Sequence, residues 1–157
     1  MAALVDLVER FLEQDEWYPE RHPEEDVLRA SFNGDNGRWQ CLVRVRQNVQ
    51  VMFFSMCPVT VPTERRPAMA EFLTRANYGL VLGNFEMDFE DGEIRYKTSI
   101  DVERIPLDLL EQSAWSLDLF KDITYPNVLM MDKYLPGIMR VIASNEAPAA
   151  IIAEIEG

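Results

Sequence analysis

The stretch from Phe85 to Ile100 constrains the fold more than any other. Phe85, Met87 and Phe89 alternate with Asn84, Glu86 and Asp88. After Glu90-Asp91-Gly92-Glu93, Ile94, Tyr96, Thr98 and Ile100 alternate with Arg95, Lys97 and Ser99. A period of two is the signature of a strand, and Asp-Gly accepts the backbone a tight turn demands. The pattern predicts an antiparallel hairpin with one apolar face turned to a core. Its other face sets acidic Glu86 and Asp88 against basic Arg95 and Lys97. Such cross-strand charges are worth roughly 0.2–1 kcal/mol, so they favour register more than stability.

Three further strands precede it. Leu28, Ala30 and Phe32 alternate with Val27, Arg29 and Ser31, and the run ends in Asn33-Gly34-Asp35-Asn36-Gly37. That cluster is turn chemistry. Trp39, Cys41, Val43 and Val45 then share one face, with Gln40, Arg44 and Arg46 on the other and Leu42 as the exception. A turn at Gln47-Asn48 leads into Val49 to Met56. This strand differs from its neighbours: Val49, Val51 and Phe53 lie on one side, Met52, Phe54 and Met56 on the other. A strand apolar on both faces calls for cover on both.

Helical periodicity frames the strands. Leu4, Val5, Val8, Phe11 and Leu12 make an amphipathic stripe, ended by Pro19 and Pro23. Pro58 and Pro62 close the doubly apolar strand, and Thr63 is placed to cap a helix from about Glu64 to Ala76. Asn77-Tyr78-Gly79 reads as its stop. Pro106 opens a helix striped by Leu107, Leu110, Ala114 and Leu117, and Tyr125-Pro126-Asn127 interrupts the pattern. Val128, Met131, Leu135, Ile138 and Ile142 continue it, with Pro136-Gly137 as a kink or restart. Residues 146–157 read as a short frayed helix or a mobile tail. The expected architecture is α+β, in the order α-β-β-β-α-β-β-α(α). An antiparallel sheet of about five strands carries its helices mainly on one face, within a single domain over residues 1–157.

Composition narrows the functional classes. The formal net charge of −12 lacks the basic footprint that phosphate backbones select, so neither nucleic acid nor an anionic membrane is an expected partner. The acidity reads as solubility, or as attraction for a basic partner segment. No run approaches the ~20 apolar residues of a membrane span. The N-terminus shows no basic leader, so the cytoplasm is the expected compartment.

The polar candidates are weak. His22 is the only histidine and sits in Arg21-His22-Pro23, without a paired nucleophile. Cys41 and Cys57 with that histidine are too few soft ligands for a structural zinc, and Cys41 is expected in the core. The carboxylates at Asp15-Glu16, Glu20 and Glu24-Glu25-Asp26 lack the spacing of a calcium loop. No catalytic residue, metal ligand or cofactor site is therefore expected. The surviving candidates are Met52, Phe54 and Met56, with Met130, Met131 and Met139 as further lining of an adaptable surface. Three readings stay open: ordinary core, a homodimer interface, or a partner groove.

Two stretches resemble a known family. Asn77-Tyr78, Gly83-Asn84-Phe85-Glu86-Met87-Asp88 and Asp91-Gly92-Glu93-Ile94-Arg95-Tyr96-Lys97 form the first, and Asp132-Lys133-Tyr134-Leu135-Pro136 the second. Together with the element order they resemble the YbjN family of small bacterial proteins. That resemblance implies a fold like the type III secretion chaperones, which form homodimers and hold extended partner segments. It also implies a link to sensory-transduction regulation, and it brings no established catalytic residues. The expected function is a non-enzymatic binding protein, chaperone-like or regulatory, acting as a homodimer on a polypeptide partner. The alternative is a small-molecule sensor module in signal transduction.

Overall fold

The structure, a computed structural model, describes residues 2–157. Six strands are present: β1 (Glu20–Arg21), β2 (Val27–Asn33), β3 (Arg38–Arg46), β4 (Gln50–Met56), β5 (Asn84–Met87) and β6 (Ile94–Asp101). They form one sheet in the order β1-β2-β3-β4-β6-β5, antiparallel throughout. The strand beyond the expected five is β1. At two residues between Pro19 and Pro23 it is too short to alternate, so no periodicity marks it.

The turns follow local chemistry. Gln47 and Asn48 both take positive φ (52° and 58°) in the three-residue connection between paired Arg46 and Gln50, and the Val49 amide bonds the Arg46 carbonyl. Gly92 sits at φ 78°, and a side chain there would strike the backbone of Val61, so position 92 needs glycine twice over. Phe89, expected on the apolar face of its hairpin, lies beyond the end of β5 and is exposed. Glu86 bridges both Arg95 and Lys97, whereas Asp88 turns back to accept from the Glu90 amide.

Five helices are found among the described residues: α1 (Leu4–Gln14), α2 (Arg66–Asn77), α3 (Leu107–Gln112), α4 (Trp115–Ala143) and α5 (Pro148–Glu156). Of these, α1, α2 and α4 meet the sheet, while α3 packs on α1 and α5 on α2 and α4. Thr63 does not cap α2. It lies in a 3-10 turn, Thr63–Arg65, that leads into the helix, and Pro67 occupies the first turn. The break expected at Tyr125-Pro126-Asn127 does not occur, because α4 runs 29 residues through both Pro126 and Pro136. Packing outweighs the missing donors. Proline at 136 cannot bond the Asp132 carbonyl, and Asn36 Nδ2 donates to that carbonyl instead (2.9 Å). The Asp132 carboxylate takes the Asp35 and Asn36 amides, pinning the β2–β3 turn to α4.

Of the two readings of the C-terminal residues, the short helix is the one observed, and it is docked rather than frayed. Residues 148–156 are helical and docked, with Ile151 and Ile152 buried and Gly137 letting Ile155 and Phe72 close over α4. Alanine, glutamate and proline richness concealed the isoleucines that anchor it.

The core lies between sheet and helices. Val8, Phe11 and Leu12 of α1 line one small cavity with Val43 and Phe53, and Phe11 is stacked on Phe120 at 5.0 Å. Phe85 meets Tyr96 and Tyr134 edge-on at 4.8 and 5.5 Å. Asn127, wholly buried on α4, donates to the carbonyls of Phe53 (2.8 Å) and Tyr96 (3.0 Å). Thr98 Oγ1 bonds the Ile123 carbonyl from the strand side. These contacts settle which side of the sheet the helices occupy.

Candidate functional site

Because α1, α2 and α4 all meet the face carrying Val43, Phe53 and Tyr96, the opposite face is left without a helix. Its rows follow from the register. Glu20, Arg29, Leu42, Phe54, Lys97 and Asn84 stand side by side across the sheet. Val27, Arg44, Met52 and Ser99 form the next row, and Met56, Arg95 and Glu86 another. Met52, Phe54 and Met56 are thus neighbours on one open surface, as their alternation indicated.

Phe54 is only 6% exposed although no helix covers it. Its ring is sheltered sideways: the Arg95 guanidinium lies 4.5 Å above it, and Leu42 and Lys97 flank it in register. Guanidinium stacking on an aromatic face is worth about 0.5–1 kcal/mol at exposed sites. The stems of long cations cover apolar area while their heads stay wet. The expected second layer is therefore supplied by side chains of the sheet itself, and Met52 and Met56 stay half-buried. Glu86 holds the two covering cations, at 2.9 Å to Arg95 and 3.2 Å to Lys97. Partial burial works against the Glu86 carboxylate, but the Lys97 hydrogen bond and the Arg95 charge outweigh it and lower its pKa.

The remaining cations of this face are free. Arg29, Arg38, Arg44 and Arg46 are exposed, and among the described residues none has an ion pair or side-chain hydrogen bond. In a chain of formal charge −12, the open face bears more cations than anions. A shallow concavity of about 310 Å³, lined by Arg38, Trp39, Gln40, Met56, Cys57 and Pro58, ends the stripe.

Met130, Met131 and Met139 do not join this surface. They lie on α4, beyond the sheet, with Met131 wholly buried and Met139 exposed. The methionine surface read from the sequence is therefore two separate groups. A second apolar feature had no sequence reading beyond a helix stop: Tyr78 and Val81 are 92% and 93% exposed in the loop before β5.

The edge of β5 is closed by a side chain. Asn77 Oδ1 accepts from the Phe85 amide (2.7 Å) and its Nδ2 donates to the Phe85 carbonyl (3.1 Å). One carboxamide stands where the next strand's peptide would be, which guards an edge against pairing. This gives Asn77 a structural task at the head of the first motif.

The polar candidates take structural places. His22 Nδ1 accepts from the Glu24 and Glu25 amides in an exposed loop. Cys41 is buried beside Ser55, and burial pushes its thiol up to about 12; the Cys57 thiol is pushed up to about 11. Among the described residues, no three of His, Cys, Asp and Glu are grouped to hold a metal ion. No helix among them is long and apolar enough to cross a membrane.

No curated protein matches the sequence significantly. Among solved structures, the chain is similar to "YbjN, a putative transcription regulator from E. coli". The TM-score is 0.57 at 12% identity, covering 83% of this chain and 89% of that one. At that identity the likeness shows the fold alone. A family model, YbjN, described as "Putative bacterial sensory transduction regulator", matches residues 4–116. That span holds α1, the whole sheet and the Asn77–Lys97 motif, and the chain belongs to the YbjN family.

Proposed function

We propose that this chain is a non-enzymatic binding protein, chaperone-like or regulatory, that holds a polypeptide segment on the open face of its sheet. One observation carries the reading. The Met52–Phe54–Met56 stripe lies uncovered by any helix, beside exposed arginines that have no acidic partner. An apolar centre with a polar rim is the anatomy of an interaction surface. The family description, a sensory transduction regulator, agrees with a protein that acts by binding.

The homodimer expected from the sequence is a separate part of this reading, and the open face favours a different occupant. A two-fold contact through the open face would bring together two surfaces that each carry more cations than anions. The small-molecule reading finds less support. An apolar cavity between Phe11, Phe53 and Phe120 has a volume of about 20 Å³, room for a water and not a metabolite.

The test is parallel affinity capture from native lysate with the wild-type chain and with Phe54→Asp. Polypeptides held by the wild-type chain and lost by the variant are the expected outcome. Identical sets from both would remove the open face from the account. Light scattering at micromolar concentration tests the homodimer separately, and a strict monomer would dismiss it.

A further inference from the structure

We propose that the segment held on the open face is acidic, with Asp or Glu flanking two or three apolar anchors. This rests on the reading of that face as the binding surface and adds the chemistry of the partner.

Acidic side chains outnumber basic ones, 27 to 15. Several cations of the helical side are paired, Arg10 with Glu111, Arg75 with Glu71, and Arg140 with Glu146 and Glu154, while Arg65 and Arg66 bond backbone carbonyls instead. Arg29 and Arg44, beside the apolar stripe, do neither. The stripe runs along β4 for roughly 13 Å, four strand steps from Met52 to Met56. Leu42 and Arg29 lie to one side of Phe54 in register, and Lys97 lies to the other. Arg95 and Lys97 on that side already share Glu86, so the unpaired charge lies on the Arg29 and Arg44 side, and an apolar line beside it is complementary to an amphipathic segment with acidic flanks.

The chain's overall negative charge does not decide against an acidic partner. Salt confines long-range repulsion to about 10 Å at 0.1 M, so at contact the local face governs. A second copy fits less well. Face to same face, it brings together two surfaces with an excess of cations; acidic helical surface to basic sheet, it makes a heterologous contact that grows into rings or filaments. Nucleic acid fits less well again, since methionine and phenylalanine at the centre offer phosphates nothing. The stripe lies on β4, an interior strand of the sheet, and Asn77 closes the β5 edge to strand addition, so a segment seated on the stripe lies across the face.

The test is a fluorescence-anisotropy titration of the full chain against three labelled probes. One is a peptide of about 18 residues with Leu and Phe at helical spacing and Glu on both flanks. The second has Lys for every Glu, and the third is a DNA duplex of about 20 base pairs. The Glu peptide is expected to bind, weakening as salt rises from about 0.05 to 0.5 M. R29E with R44E, both exposed, should keep the far-UV spectrum, weaken that binding roughly tenfold and strengthen the Lys peptide. Phe54→Asp should abolish binding of the Glu peptide. If the Lys peptide is preferred by the wild-type chain and lost in Phe54→Asp, the face stands and the acidic partner is overturned. If neither peptide binds, or Phe54→Asp changes nothing, both readings fall. Duplex binding lost in the double arginine variant, or a dimer lost in Phe54→Asp and strengthened in that variant, overturns the proposal in favour of DNA or a second copy.

Discussion

Replacing Asn77 with Ala removes both hydrogen bonds that close the outer edge of β5. The Phe85 amide loses its acceptor at 2.7 Å and the Phe85 carbonyl its donor at 3.1 Å. A neutral hydrogen bond contributes about 0.5–1.5 kcal/mol net, and a buried group left unpaired costs about 1–3 kcal/mol. Asn77 is half-buried, so water replaces part of what is lost, and the expected destabilisation is about 1–2 kcal/mol. At about 2–4 °C per kcal/mol for a domain of this size, the melting midpoint should fall by about 2–8 °C. Urea unfolding followed by tryptophan fluorescence reads the free energy, with the slope unchanged. The exposed edge should also raise thioflavin-positive aggregation on mild heating. Asn77→Asp sharpens the test. Only its protonated form offers both a donor and an acceptor to Phe85, so its folded pKa should lie above the unfolded value. The stability it recovers is present below that unfolded pKa and lost as pH rises through the folded one. A stability for Asn77→Ala within about 0.3 kcal/mol of wild type would refute the edge-closing role.

Ile151→Ala should cost about 2–5 kcal/mol in urea unfolding, as for a wholly buried residue, whereas a mobile tail would show no change. Gly137→Ala forces a methyl into Phe72 and Ile155 and should lose about 1–3 kcal/mol, seen as a lower melting midpoint. The native chain should react slowly with a thiol probe at pH 8, since burial holds both cysteines protonated, and rapidly in urea; fast native labelling of Cys41 would contradict its placement. The depressed pKa of Glu86 makes its contribution full above the unfolded value near 4.5 and lost as pH falls through the folded one. Glu86→Gln should therefore flatten the acid limb of the stability curve and leave the neutral limb parallel to wild type.

The strands were legible because alternation is a local signal. The Phe85–Ile100 hairpin and the doubly apolar β4 could be read from adjacent residues, and they proved to pair as β5–β6 and β4–β6. What stayed hidden depends on contacts distant in sequence. The continuity of α4 through Pro126 and Pro136 is decided by packing against the sheet, with Asn36 answering Asp132 across 96 positions. The docking of α5 depends on a glycine at 137 meeting an isoleucine at 155. At the candidate site, alternation found Met52, Phe54 and Met56. It could not show that Arg95 would roof Phe54, because that needs the register of β4 against β6. Nor could composition show a basic face on a chain of charge −12; the acidity suggested a basic partner, and the free arginines of the open face point the other way.

Backbone amide shift mapping of the isotope-labelled chain, titrated with the Glu-flanked peptide, tests the account most directly. Shifts should gather on Arg29, Leu42, Arg44, Met52, Phe54 and Lys97, the residues that the register places around the stripe. Shifts gathered instead on α2 and α5, or on the exposed loop from Tyr78 to Leu82, would contradict it.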